Sequence, residues 1–214
     1  ITWHTRAILK HGHKEQPLVM ARDDPGRGGT EIFIYTGDQD NLFALITSIL
    51  DQLGLTILDA RIITGHSGYT LDSFTVLEDT GLPIQDRARI KEIVTTLLRA
   101  LTQPDAVPLL PSRHISRIQK AFQMPTWVSF REDLANNRTV VELVSWDRPG
   151  LLCRVGQAFV ECGVQLHDAK IVTIGARAED VFFVTDHENR PLNDSRQYAA
   201  LRHALVEQLD SGED

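Results

Sequence analysis

Apolar residues along the chain recur with two periods that take turns. Residues 30–36 and 139–146 are rich in β-branched and aromatic side chains and predict strands. Leu42, Leu45, Ile46, Ile49, Leu50 and Leu53 then fall at i, i+3 and i+4 spacing, which predicts a helix with one apolar face. Leu151, Val155, Ala158, Phe159 and Cys162 trace a matching face in the second half. Gly54 and Gly163 stand where each helix needs a left-handed closing residue. Two strands follow each helix: LTILDARIIT and YTLDSFTVLE in the first half, VQLHDAKIVT and EDVFFVTD in the second. A second helix ends each half, marked by Ile90, Ile93, Val94, Leu97, Leu98 and Leu101, and by Tyr198, Leu201, Leu205 and Leu209.

The halves are copies of one unit. An offset of 109 carries Val19 to Val128, Arg22 to Arg131, Thr30 to Thr139, Asp38 to Asp147 and DARIIT to DAKIVT. After one deletion the offset is 108, which carries Asp72 to Asp180, Phe74 to Phe182 and Val76 to Val184. A period this long is a domain duplication rather than a solenoid. In a ferredoxin-like unit a fourth strand follows the second helix and pairs antiparallel with the first. The second copy has only a solvated DSGED after its helix, yet each copy has a strand before its first one, joined through DDPGRGG or LANNR. A hairpin partner fills the vacant position. The expected fold is α+β: two circularly permuted ferredoxin-like units, each a four-stranded antiparallel sheet with two helices on one face. The expected bounds are an N-terminal linker over 1–15, a first unit over 16–101, a linker with a short helix over 102–123, a second unit over 124–210 and a tail over 211–214.

Composition and charge narrow the classes. With 42% hydrophobic and 24% charged residues the chain has the make-up of a soluble globular protein. It begins with Ile1 and shows no signal peptide, so a fragment or processed form is expected. A net charge of −7 argues against nucleic acid as a partner, and no apolar run is long enough for a membrane span. Cys153 and Cys162 fall on opposite faces of one helix and cannot bridge each other, so a reducing cytoplasm fits. The HGH at 11–13 lacks further clustered metal ligands, the single GRGG reads as turn chemistry, and the aromatic pair Phe182 and Phe183 lacks an RNP-like motif. No Ser/His/Asp set or paired carboxylates suggest catalysis.

The candidate chemistry gathers at SWDRPGLLCRVGQAF. Pro149 suits a first helical position, Gly150 lets another group approach the backbone, and the first-turn amides suit a carboxylate or phosphate. Pro and Gly also simply build a good helix start. Asp168 and its equivalent Asp59 lie on the strand after this helix, an edge that can pair with another unit and bring a carboxylate near a neighbour's helix start. Salt bridges to Lys170 and Arg61 are the plain alternative for these two aspartates. The ligand-contact set is therefore Asp147, Arg148, Pro149, Gly150, Leu151, Leu152, His167 and Asp168, with Asp38, Asn41, Leu42 and Asp59 in the first copy. Asp40 replaces Pro149 in that copy, so the second copy is expected to offer the better anion pocket.

The stretch DRPGLLCRVGQAF…HDAKIVTIGARAEDVFFVTD resembles the ACT domain family, small-molecule-sensing units with this element order. The tandem pair, with WHTRAI near the start and LDSFTVLEDTGLPI in the first copy, is similar over nearly the whole chain to the C-terminal region of the family of bifunctional PII uridylyltransferase/uridylyl-removing enzymes. That resemblance implies that the pair senses free glutamine. It also implies that upstream catalytic domains, using Mg²⁺, switch between adding UMP to the PII signal protein and removing it. For this stretch it implies no cofactor and pairing through the ACT sheets, including homo-oligomers. The alternative is the ACT regulatory region of an amino-acid biosynthetic enzyme responding to another amino acid. Ala176 departs from the pattern, where an acidic residue is expected.

Overall fold

The computed structural model describes residues 2–12, 16–24, 26–39, 41–64, 68–103 and 124–210. The expected connecting helix, most of the 102–123 linker and the 211–214 tail lie outside the described residues. The first unit runs β1 (Leu18–Asp24), β2 (Gly29–Gly37), α2 (Leu42–Gln52), β3 (Thr56–Thr64), β4 (Tyr69–Leu77) and α3 (Arg87–Thr102). The second repeats it with β5 (Trp127–Asp133), β6 (Arg138–Trp146), α4 (Leu151–Glu161), β7 (Gln165–Ile174), β8 (Arg177–Thr185) and α5 (Ser195–Asp210). A further helix, α1 (Thr2–His11), precedes them.

The order across the sheet is β1-β2-β4-β3-β7-β8-β6-β5, every neighbour antiparallel. Each hairpin partner, β1 or β5, takes the outer place beside the first strand of its unit, which is the permuted arrangement expected from the sequence. The two sheets join edge to edge where β3 meets β7, with Asp59 opposite Val172 and Ile63 opposite Asp168. The edge pairing therefore occurs within one chain.

Local sequence explains the element ends. Both first helices close in a Schellman motif: Leu55 N donates to Leu50 O and Gly54 N to Asp51 O, then Val164 N to Phe159 O and Gly163 N to Val160 O. Gly54 and Gly163 hold the required left-handed φ of 77° and 64°. Asp86 caps α3 by accepting from Ala88 N at 2.9 Å, and Asp194 accepts from Arg196 N at the start of α5.

The apolar stripes of the α2–α5 helices and the even-numbered positions of β2 and β4 form the core with the matching face of the second unit. Phe182 sits across the unit boundary, edge-on to Phe159 and to Phe43 at ring-centroid distances of 5.2 and 6.1 Å. The helices α2 and α4 approach so closely that a Cβ at Gly156 would lie 2.7 Å from Ala44 Cα.

The expected 1–15 linker is replaced over most of its length by α1. Trp3 and His4 pack on Phe33, His4 Nε2 contacts Glu31 Oε1 at 2.8 Å, and the Arg22 guanidinium lies 4.4 Å from the Trp3 ring centre. Phe33 points away from the core made by its neighbours Ile32 and Ile34, so α1 covers the other face of the sheet.

Candidate functional site

Each unit presents a helix start next to the seam. Asn41 and Gly150 are the N-cap residues of α2 and α4, in left-handed conformation at φ 62° and 74°, and neither helix receives a side-chain cap. Pro149 is not the first helical residue, as the sequence suggested. Gly150 at positive φ cannot be helical, so Pro149 and Gly150 form a turn that the Leu151 amide closes onto Arg148 O, and the helix begins at Leu151. The amides behind that turn still lack intrahelical acceptors and carry the positive end of the helix dipole.

A cleft opens at each of these starts, with volumes of about 290 and 310 Å³, the lower end of small-molecule sites. The first takes Asp38, Asn41, Leu42, Ile62, Thr64, Thr70 and Asp72 from the first unit, with Phe159, Gly163, His167 and His187 from the second. The second takes Asp147 to Cys153, Ile171, Thr173, Ala178 and Asp180 from the second unit, with Thr47, Asp51, Leu55, Ile57 and Asp79 from the first. The internal offsets superpose the two linings, Asp38 on Asp147, Asn41 on Gly150 and Asp72 on Asp180. Each upstream aspartate is tied to the same turn, Asp38 N to Gly68 O and Asp147 N to Ala176 O, both 2.9 Å.

Of the residues singled out in the sequence, Asp38, Asn41, Leu42 and His167 meet in the first cleft and Asp147, Arg148, Pro149, Gly150, Leu151 and Leu152 in the second. Asp59 and Asp168 line neither. Ile62 and Thr64 of β3 and Ile171 and Thr173 of β7 line the clefts, as do Ile57 and His167 at the register shifts, and from Ile62 and Ile171 strand alternation turns Asp59 and Asp168 to the opposite face. The half-exposed Asp59 pairs there with Arg27 Nη1 at 2.9 Å, not with Arg61. Partial burial raises the Asp168 carboxyl, opposed by the charges of Arg61 and Arg138.

Other side chains have structural duties. Arg148 is buried, and its Nη2 donates to the carbonyls of Gln208 and Leu209, capping the C-terminal end of α5. Partial burial, and then the charge of Arg138, lowers the His167 imidazole, whose Nε2 lies 2.7 Å from Thr185 Oγ1. Burial pushes the Cys153 thiol up to about 11, so it is an inert packing group.

Asp72 and Asp180 stand out in the sequence only as landmarks of the repeat. Both are buried at about 1% exposure, and burial lifts both carboxyls to about 7. The signal was present: each aspartate is in step, two residues at a time, with Phe74 and Val76 or Phe182 and Val184, which places a carboxyl on the core face. The expectation that the second copy offers the better anion pocket turned on Asp40, which lies outside the described residues. Among the described residues the second cleft carries Asp51, Asp79, Asp147 and Asp180, the first Asp38 and Asp72. Asp51 and Asp79 come from the other copy, so the corner's own sequence could not show them.

Among the described residues no three His, Cys, Asp or Glu converge to hold a metal ion. No described helix is long and apolar enough to cross a membrane.

Two permuted ferredoxin-like units joined edge to edge, with a ligand-sized cleft at each helix start, define a tandem ACT-type pair. No protein-family model matches the chain. The chain is 47% identical over 207 residues to the bifunctional uridylyltransferase/uridylyl-removing enzyme of Methylococcus capsulatus, covering 97% of this chain and 24% of that protein. It is 43% identical over 213 residues to the enzyme of the same name from Stutzerimonas stutzeri, covering 98% and 24%. The chain belongs to the bifunctional uridylyltransferase/uridylyl-removing enzyme family and spans about a quarter of the length of these relatives. Among solved structures, aspartate kinase from Synechocystis aligns at a TM-score of 0.43 and 15% identity over 86% of this chain and 27% of that one. The regulatory subunit of aspartate kinase from Thermus thermophilus aligns at 0.29 and 16% over 92% and 100%. Likenesses that distant decide nothing about the ligand.

Proposed function

We propose that this chain is the C-terminal amino-acid-sensing region of such an enzyme. Free glutamine is the ligand, and its binding biases the attached catalytic domains between UMP addition to the PII signal protein and UMP removal. The observation that carries this reading is the pair of duplication-related clefts, each walled by both units and each combining an uncapped helix start with carboxyl groups. A free amino acid offers the complementary pair of charges. Because a ligand touches both units at once, it favours one arrangement of them, and only its differential affinity for that arrangement can act on the rest of the enzyme.

A thermal-shift series with individual amino acids, followed by calorimetry, tests this. Ligand at a hundred times its Kd stabilises the native state by about 2.7 kcal/mol, a rise of roughly 5–11 °C for a chain of this size. A rise selective for glutamine is expected. A rise with a different amino acid and none with glutamine would transfer the chain to the alternative, regulation by another amino acid. No rise with any of them would refute amino-acid sensing.

A further inference from the structure

We propose that Asp72 and Asp180 are the residues that hold the α-ammonium group of the ligand, one in each cleft, and that they restrict the ligand to primary amino acids over the matching 2-oxo acids. This rests on the amino-acid reading above and names the residues that confer it. Each carboxyl is buried, and in each the Oδ2 atom accepts no hydrogen bond from the protein. The other oxygen is engaged: Asp72 Oδ1 accepts from Thr70 Oγ1, and Asp180 Oδ1 from Val172 N at 3.3 Å. A buried acceptor without a donor is costly and rare. The same defect stands at both duplicated positions, and both residues line a cleft beside a helix start.

A primary ammonium supplies what is missing, three N–H donors and a compensating charge. A 2-oxo acid supplies neither, and it adds a negative charge to an acidic lining. The titratable and charged groups that share the first cleft with Asp72 are Asp38, His167 and His187; those that share the second with Asp180 are Asp51, Asp79, Asp147, Arg148 and Cys153. Arg148 is turned to the end of α5, and partial burial raises the Asp147 carboxyl as well, so the second cleft presents acid groups to a cation. With both strand carboxyls raised to about 7, each is about half protonated at pH 7, and capture of an ammonium expels on average about half a proton from each.

Calorimetry on the 214-residue chain at pH 7, run in buffers of different ionisation enthalpy, reads affinity and proton release together. L-Glutamine is expected to bind with release of protons, and its 2-oxo analogue not to bind. The double variant Asp72→Asn/Asp180→Asn keeps the shape of both side chains; it is expected to lose at least tenfold in affinity and to release no protons on the binding that remains. Ligand-free melting checks its fold, and Asp59→Asn, on the other face of the sheet, is expected to bind like wild type. A loss below tenfold in the double variant overturns the inference. So does wild-type binding without proton release, or equal binding of the 2-oxo analogue, and neither result depends on the variant folding. All three leave glutamine sensing standing. If none of the common amino acids binds the wild-type chain, both readings fall; if one other than glutamine binds, it serves as the probe for the same tests.

Discussion

Replacing Gly156 by alanine tests the contact on which both clefts depend. In an ordinary helix interior this change stabilises by about 1 kcal/mol, because alanine is the better helix former. Here the added methyl would sit 2.7 Å from Ala44 Cα, 2.8 Å from Ala44 Cβ and 3.2 Å from Ala44 N. Comfortable carbon contacts lie at about 3.5–4.0 Å. The neighbour is helix backbone and cannot rotate away, so α2 and α4 must part by about 1 Å. Overpacking of this kind costs about 1–3 kcal/mol, and backbone contact puts it at the upper end. Subtracting the propensity gain leaves a net loss of about 2 kcal/mol, or a drop of about 4–8 °C in Tm for a chain this long. Thermal melting of Gly156→Ala against wild type, without ligand, is the assay. An unchanged or higher Tm would show that the two helices are not held at the distance described, and with it the shape of both clefts would be in error.

Three further outcomes follow from the structure. Unfolded aspartates titrate near 4 while folded Asp72 and Asp180 titrate near 7, so the folded chain binds more protons between those values and ligand-free stability falls as pH rises through that window; Asp72→Asn/Asp180→Asn should flatten this slope in Tm-versus-pH curves, and an unaltered slope would count against the raised carboxyls. Asp59→Ala breaks a half-exposed pair with Arg27, so it should cost under about 1 kcal/mol in urea unfolding and leave ligand affinity unchanged, whereas lost affinity would return Asp59 to the binding set. Phe182→Ala removes a fully buried ring wedged between Phe43 and Phe159 and should cost about 3–5 kcal/mol by chemical denaturation; a loss under 1 kcal/mol would deny that the two units share a core.

The duplication, the order of elements and the permutation were legible because they are written in periods and offsets that need no knowledge of distant partners. Gly54 and Gly163 cap their helices as their positions after the apolar stripe required. What failed was parity and partnership. Asp59 and Asp168 looked like cleft residues because their strand follows the right helix, but period-two alternation sends them to the far face. Irregularities at Ile57/Asp59 and Leu166/Asp168 hide that alternation from a count along the sequence. The helix α1 was passed over because the surface that holds it, Phe33 with Glu31 and Arg22, comes from strands that only the fold brings together. Asp72 and Asp180 were readable in step with their phenylalanines and valines, yet a lone carboxyl in such a stripe acquires meaning only once a cleft lies beside it.

The crossing of α2 and α4 has one more consequence. Each rod begins at one opening and finishes at the other: α2 runs from Asn41 in the first to Asp51 in the second, and α4 from Leu151 in the second to Phe159 in the first. Gly156 and Ala44 mark the point where the two rods come closest. A ligand that tightened one mouth would have to displace the tail of a helix that walls the opposite mouth, and any coupling between the two would by linkage be equal in both directions.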